Sequence, residues 1–275
     1  MLAGVAIVLI VVAMIAARVF GVGRRTSVSD TGQVSTAVMN DLSSVPDAVF
    51  NQVGQGSAQG LPVPVRGPLL RGASGRPQIV YFGAEYCPYC AAERWGLIVA
   101  LSRFGTFSNL HTARSATDDV FPGTPTFTFS GSTYQSQYVD FKAVELQTST
   151  RVGGTYQTLQ TPTADEATLL ARYNAPPYVP ANSAGAIPFV DVGNQYVLSG
   201  SNFSPQLLAD SSWDDVAANL KNPNSEDAKA IVGTANVITA AICASTNDTP
   251  ASVCGQPAIK PIEAALARAP IPSGQ

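Results

Sequence analysis

Two cysteines separated by a proline and a tyrosine, Cys87-Pro88-Tyr89-Cys90, are the residues of this chain best suited to chemistry. The tetrad follows Gln78 to Gly83, a short apolar run of the kind found in buried strands. It precedes Ala91 to Phe104, where Trp95, Ile98, Val99 and Leu101 recur at helical intervals. The spacing predicts that Cys87 stands at a helix N-terminus. Free backbone N–H groups and the positive end of the macrodipole stabilise a thiolate there, so Cys87 is expected to have a lowered pKa and to be the attacking sulfur. Cys90, one turn further in, is placed to resolve the mixed disulfide that follows attack. Pro88 costs nothing at the first helical position, because its missing N–H would be unpaired anyway. A lone C-x-x-C is equally half of a zinc site. The remaining cysteines, Cys243 and Cys254, have ten residues between them and His111 is the single histidine, so no metal is expected. His111 itself reads as a strand or surface residue.

The elements that must position the tetrad read as β-α-β: a strand at 78–83, the helix, and a next strand at Leu110 to Arg114. From Ser115 to about Gly185 the texture changes. Aromatic and threonine alternation in TPTFTFSG and YVDFKAVELQT predicts extra strands, and a helix follows over Ala164 to Tyr173, so this stretch reads as an insertion. GAIPFVDVGNQYVLSG then predicts two short strands joined at Gly193-Asn194, a strong hairpin signal. The last third is helical. Ser204-Pro205 opens one short helix, Trp213 to Leu220 forms another, and Ser225 caps a longer one with Ile231, Ala235, Ile238 and Ile242 on one stripe.

The first twenty residues contain one charge, Arg18, and are long and apolar enough to cross a bilayer. A cleavable signal peptide would show a basic leader and a shorter apolar run, so 1–21 is expected to be an uncleaved transmembrane anchor. Residues 22–60 read as a juxtamembrane stalk with a short helix in SSVPDAVFNQVG, where Ser44 can cap a turn and Val45, Val49, Phe50 and Val53 form an apolar stripe, so this patch is expected to pack on the main domain. Leu61 to Leu70, with three prolines, reads as an edge strand. A net charge of -3 and 13% charged residues offer no basic field, which argues against nucleic-acid binding, while 45% hydrophobic residues suffice for a core.

Ile187-Pro188 heads the first strand of the downstream hairpin, a place where a residue that cannot donate to a sheet ladder calls for a reason. Base rates favour a trans bond there. Taken together, strand, turn, CPYC, helix and the later Ile-Pro, strand, Gly turn, strand and Gly200 resemble the thioredoxin superfamily. That resemblance implies an α/β fold, a mixed sheet flanked by helices, spanning 61–272 with the insertion at about 115–185. It also implies that a cis-proline loop lies against the dithiol, so that Pro88, Tyr89, Ile187 and Pro188 bind substrate beside the catalytic Cys87 and Cys90. The CPYC tetrad is similar to the glutaredoxin type, for which a potential of about -200 to -230 mV is the starting value. Where thioredoxin-like sequences often carry a buried acid, six residues before the first cysteine, this chain has Tyr81. Glu85 occupies another position that is often acidic, and reads either as a proton-handling group or as a solvated charge. Over Gln33 to Pro272 the chain is similar to the membrane-anchored family catalogued as domain of unknown function 929.

Cys243 ends the long helix and Cys254 follows the turn-rich STNDTPAS, so a structural disulfide between them is expected, with two unpaired buried thiols as the alternative. A disulfide persists outside a reducing cytosol. That consideration, rather than Arg18, Arg24 and Arg25 beyond the apolar run, sets the expected orientation, with the domain on the extracytoplasmic side. The expected function is a thiol-disulfide oxidoreductase acting on protein thiols, requiring no cofactor and served by a membrane electron-transfer partner. The competing expectation is a non-catalytic binding or assembly module in which the same scaffold serves a membrane protein complex.

Overall fold

The computed structural model describes residues 32–273, so the expected anchor at 1–21 and the first part of the stalk lie outside the described residues. Two short helices come first, α1 (Thr36–Ser43), capped by the Ser35 hydroxyl, and α2 (Asp47–Val53). Pro46, not Ser44, is the cap residue of α2, while Ser44 closes α1. Val45, Val49 and Phe50 are buried in the main core, so the helical patch packs on the domain as its apolar stripe implies, and Val38 and Leu42 bring α1 into the same core.

The chain continues through β1 (Val63–Pro64), β2 (Gln78–Gly83), α3 (Pro88–Ser102), β3 (Gly105–Ser108), β4 (His111–Arg114), β5 (Pro125–Thr128), β6 (Thr133–Ser136) and β7 (Asp140–Glu145). A hairpin of β8 (Gln147–Val152) and β9 (Thr155–Thr158) follows, then α4 (Ala164–Tyr173), held at its start by a reciprocal Thr163–Glu166 capping box. A second hairpin pairs β10 (Phe189–Val192) with β11 (Tyr196–Ser199). Gly193 and Asn194, at its turn, both have positive φ, the geometry that Gly and Asn tolerate and that matches strand twist. The helices α5 (Trp213–Asn219), α6 (Gly233–Ser245), α7 (Ala251–Cys254) and α8 (Ile259–Arg268) complete the described chain.

Five strands form the central sheet in the order β1-β11-β10-β2-β7. It is mixed: β2 and β7 run parallel, and β10 is antiparallel to β2 and to β11. Alternation along the strands sorts the core into two faces, as the two-residue strand period requires. Ile79, Tyr81, Val190, Val192 and Leu198 share one cluster with α1, α2, α3 and α6. Val80, Phe82, Val144, Phe189 and Val197 share the other with Leu169, Leu170 and Tyr173 of α4. The result is a mixed α/β architecture with helices on both faces. On the first face α3 packs on α6, and Gly96 permits the close approach because a side chain there would run into Thr234.

The parallel partner of β2 is β7, not the expected strand at Leu110 to Arg114. β4 instead pairs with β5 in a separate two-stranded ribbon, and β3 pairs with β6 in another. YVDFKAVELQT does form strands, yet β7 belongs to the central sheet rather than to an appendage. Local alternation reports that a strand exists and not which strand it joins. Among the described residues one helical stretch, Ala228–Ser245, is long and apolar enough to span a membrane; it includes α6 and is the buried core helix.

Candidate functional site

The turn after β2 brings Cys87 to the start of α3, where it is the N-cap residue and Pro88 takes the first helical position. The Cys90 backbone N–H donates to the Cys87 sulfur at 3.2 Å, and the Cys87 N–H donates to the Ala84 carbonyl at 3.3 Å. That cap arrangement is what the sequence spacing required: the sulfur stands where a capping oxygen normally accepts the orphan N–H groups of the first turn. Both sulfurs are free thiols. Cys87 keeps 6% of its surface exposed and Cys90 none, so Cys87 is the sulfur that faces outward.

Their electrostatics diverge accordingly. Hydrogen bonding from the Cys90 thiol lowers the Cys87 pKa, and the Cys90 and Tyr89 backbone N–H groups and the Arg94 charge act in the same sense against the opposing effect of burial. Burial pushes the Cys90 thiol well above its ordinary range, and its hydrogen bond to Cys87 pushes the same way. The two sulfurs are thus shifted in opposite directions.

The downstream Ile187-Pro188 bond, which is cis, is brought to the same place. Cys87 Sγ lies 3.8 Å from the Ile187 carbonyl oxygen, and the Ile187 side chain packs against Ala84, Cys87 and Cys90. The Gly200 N–H donates to the Pro188 carbonyl at 2.9 Å and so anchors the loop to the far end of β11. Tyr89 is 43% exposed at the rim, edge-on to Phe121 with ring centroids 5.8 Å apart. Tyr86, just before Cys87, stacks on Tyr156 of β9 at 4.0 Å. The β8–β9 hairpin therefore reaches the mouth of the site. Its Arg151 pairs with Asp118 at 2.8 Å, and the Tyr156 hydroxyl donates to Asp118 at 3.1 Å, which ties the hairpin to the loop before β5.

Tyr81 lies on the face of β2 beneath α3, with its phenol over Gly83, where any side chain would overlap it. Its hydroxyl is buried without a hydrogen-bond partner among the described residues, and burial raises it well above its usual range. Glu85 is buried rather than solvated, and desolvation raises its pKa against a hydrogen bond from Thr128. Sequence reasoning missed Arg94 and Glu145, a fully buried ion pair between α3 and β7 with N–O distances of 2.9 and 2.6 Å. The signal was available, since Glu93-Arg94 interrupts an otherwise apolar helix, but its partner sits on a strand assigned elsewhere.

Cys243 and Cys254 form a disulfide between α6 and α7, distant in sequence from the dithiol and fully buried. His111 lies on β4 with its Nδ1 at 2.8 Å from the Asn109 carbonyl. Among the described residues no group of three or more His, Cys, Asp or Glu side chains is arranged to hold a metal ion.

Comparison with curated proteins and with solved structures gave no match. A family model does match, over residues 72–244, a span that holds the dithiol, Arg94, Glu145 and Pro188. On that match the chain belongs to the family described as Domain of unknown function (DUF929).

Proposed function

We propose that this chain is a membrane-anchored, extracytoplasmic thiol-disulfide oxidoreductase with a thioredoxin-like fold. The observation that carries the reading is the asymmetric dithiol: Cys87 at the mouth of α3, lowered in pKa and 3.8 Å from the Ile187 carbonyl, with Cys90 buried behind it. A C-x-x-C motif at a β-α-β unit is the arrangement in which thioredoxin-like redox chemistry occurs, and β2, α3 and β7 form such a unit here.

The exchange balances without a cofactor. The Cys87 thiolate attacks one sulfur of a substrate disulfide, forming a mixed disulfide and releasing the other substrate sulfur as a thiolate. Cys90 then loses its proton and attacks Cys87 Sγ, which releases the second substrate thiol and leaves Cys87–Cys90 oxidised and the substrate reduced by two electrons. The reverse sequence oxidises a substrate dithiol. A partner dithiol or disulfide, met by the same exchange, returns the pair to its starting state. An apolar Met1–Phe20 long enough to span a bilayer supports the anchor, and a Cys243–Cys254 disulfide, which a reducing cytosol would not maintain, supports the extracytoplasmic side.

The 6% exposure of Cys87 favours a second reading, a non-catalytic binding or assembly module whose thiols are enclosed. One assay separates the two. Incubation of the reduced chain with a disulfide-containing protein in a glutathione buffer yields the Cys87–Cys90 disulfide and reduced substrate if the chain exchanges thiols. An unreacted dithiol under the same conditions refutes catalysis.

A further inference from the structure

From Cys90 to Leu101 every residue of α3 is buried, yet the helix retains two charged residues in that stretch, Glu93 and Arg94. Arg94 stands four residues after Cys90, so the two share a helix face. Arg94 meets the sheet surface that carries Tyr81 and, across the β2–β7 register of Gly83 with Glu145, the Glu145 carboxylate. Arg94 Nε and Nη2 donate to the two Glu145 oxygens, and both side chains have no exposed surface. Nη1 has no hydrogen-bond partner among the described residues, and the guanidinium carbon is 5.6 Å from the centre of the Tyr81 ring.

Stability alone does not account for such a pair. Desolvating two charges costs several kcal/mol, and replacing a buried pair with apolar residues of similar volume is often neutral or stabilising. A buried guanidinium does, however, act through a low dielectric, where its field on neighbouring groups is strong. Among the described residues, the titratable groups that interact electrostatically with the dithiol are Tyr81 of β2, Tyr86 of the turn and Arg94 of α3, while Glu145 of β7 and Glu85 of the turn interact with Arg94. Arg94 is the cation of that set.

We propose that Arg94, clamped by Glu145, is a positioning residue for the dithiol: its buried positive charge favours the thiolate over the thiol, and Glu145 both holds and moderates that charge. The proposal rests on the reading of the dithiol as reactive. It deepens that reading by naming a charge that adds to the Cys90 hydrogen bonds in favouring the thiolate, and so in setting how fast the chain attacks a disulfide at a given pH.

The test is the pH midpoint of Cys87 alkylation by iodoacetamide in the full chain, followed by mass spectrometry. Glu145→Gln keeps the shape and leaves the cation uncompensated, so the midpoint falls. Arg94→Met combined with Glu145→Met removes both charges and raises it, while Arg94→Lys keeps it near the parent value. A midpoint displaced by about one pH unit changes the thiolate fraction roughly tenfold at a pH well below it. A merely structural role would move both midpoints the same way or neither, and either result overturns the proposal. If the double variant does not fold, Glu145→Gln decides alone, and a midpoint that is unchanged or raised refutes the assignment. The midpoint is read whether or not the chain exchanges disulfides with a protein, so this failure is distinct from failure of the oxidoreductase reading.

Discussion

The Cys87 sulfur lies 3.8 Å from the carbonyl oxygen of Ile187, a residue 100 positions further along the chain. On the proposed function, that contact sets the sulfur beside the loop that would meet a substrate. Replacing Cys87 with Ala is expected to abolish exchange. Replacing Cys90 with Ala leaves attack intact and removes resolution, so a mixed disulfide between Cys87 and substrate accumulates, visible on non-reducing gels and dispersed by reductant.

The divergence of the two thiols predicts their labelling. At neutral pH one equivalent of alkylating reagent is taken up per folded chain, at Cys87, because hydrogen bonding from Cys90 lowers its pKa while burial raises that of Cys90. Denaturation then releases the second equivalent. Peptide mapping after each step checks the order, and early labelling of Cys90 contradicts it.

Cys243 and Cys254 close a loop with a sequence separation of 11. By the chain-entropy relation such a closure stabilises the fold by about 3 kcal/mol. The variant with both cysteines replaced by Ala is expected to melt roughly 6 to 12 °C lower, a difference to be measured calorimetrically.

Glu93 is fully buried, accepts the Asn202 N–H at 2.9 Å, and is pushed by desolvation up to about 7. Asp191, also buried, is raised to about 7 by the same cause. A carboxyl whose folded pKa exceeds its unfolded value binds more protons in the native state across that interval, so stability falls as pH rises through it. Unfolding free energy is therefore expected to decline from about pH 4 to pH 7. Glu93→Gln removes part of that slope and gains up to about 3 kcal/mol above pH 7, read from urea melts across the range.

Tyr156 stacks on Tyr86 at 4.0 Å, beside Cys87 in sequence. Tyr156→Ala loses a contact worth about 1 kcal/mol and uncovers the residue before Cys87. Alkylation of Cys87 by a bulky maleimide is expected to accelerate more than alkylation by small iodoacetamide. Equal effects on the two reagents would show that the hairpin does not gate access.

Read alone, the sequence determined the features that depend on near neighbours. The buried strand over Gln78–Gly83, the helix after Pro88, the helix over Ala164–Tyr173 and the Gly193-Asn194 turn all follow from periodicity and backbone preference within a few residues. So does the cap position of Cys87, since the first turn of any helix leaves its N–H groups free for an acceptor. Tertiary structure decided what depends on pairing at a distance. That β7 rather than β4 lies beside β2 and that Arg94 finds Glu145 are outcomes of how the sheet assembles and how its two faces are covered, and the meeting of Ile187 with Cys87 was expected only through the resemblance. No local pattern encodes them, because a strand's alternation names the face a residue takes and is silent about the neighbour it will face.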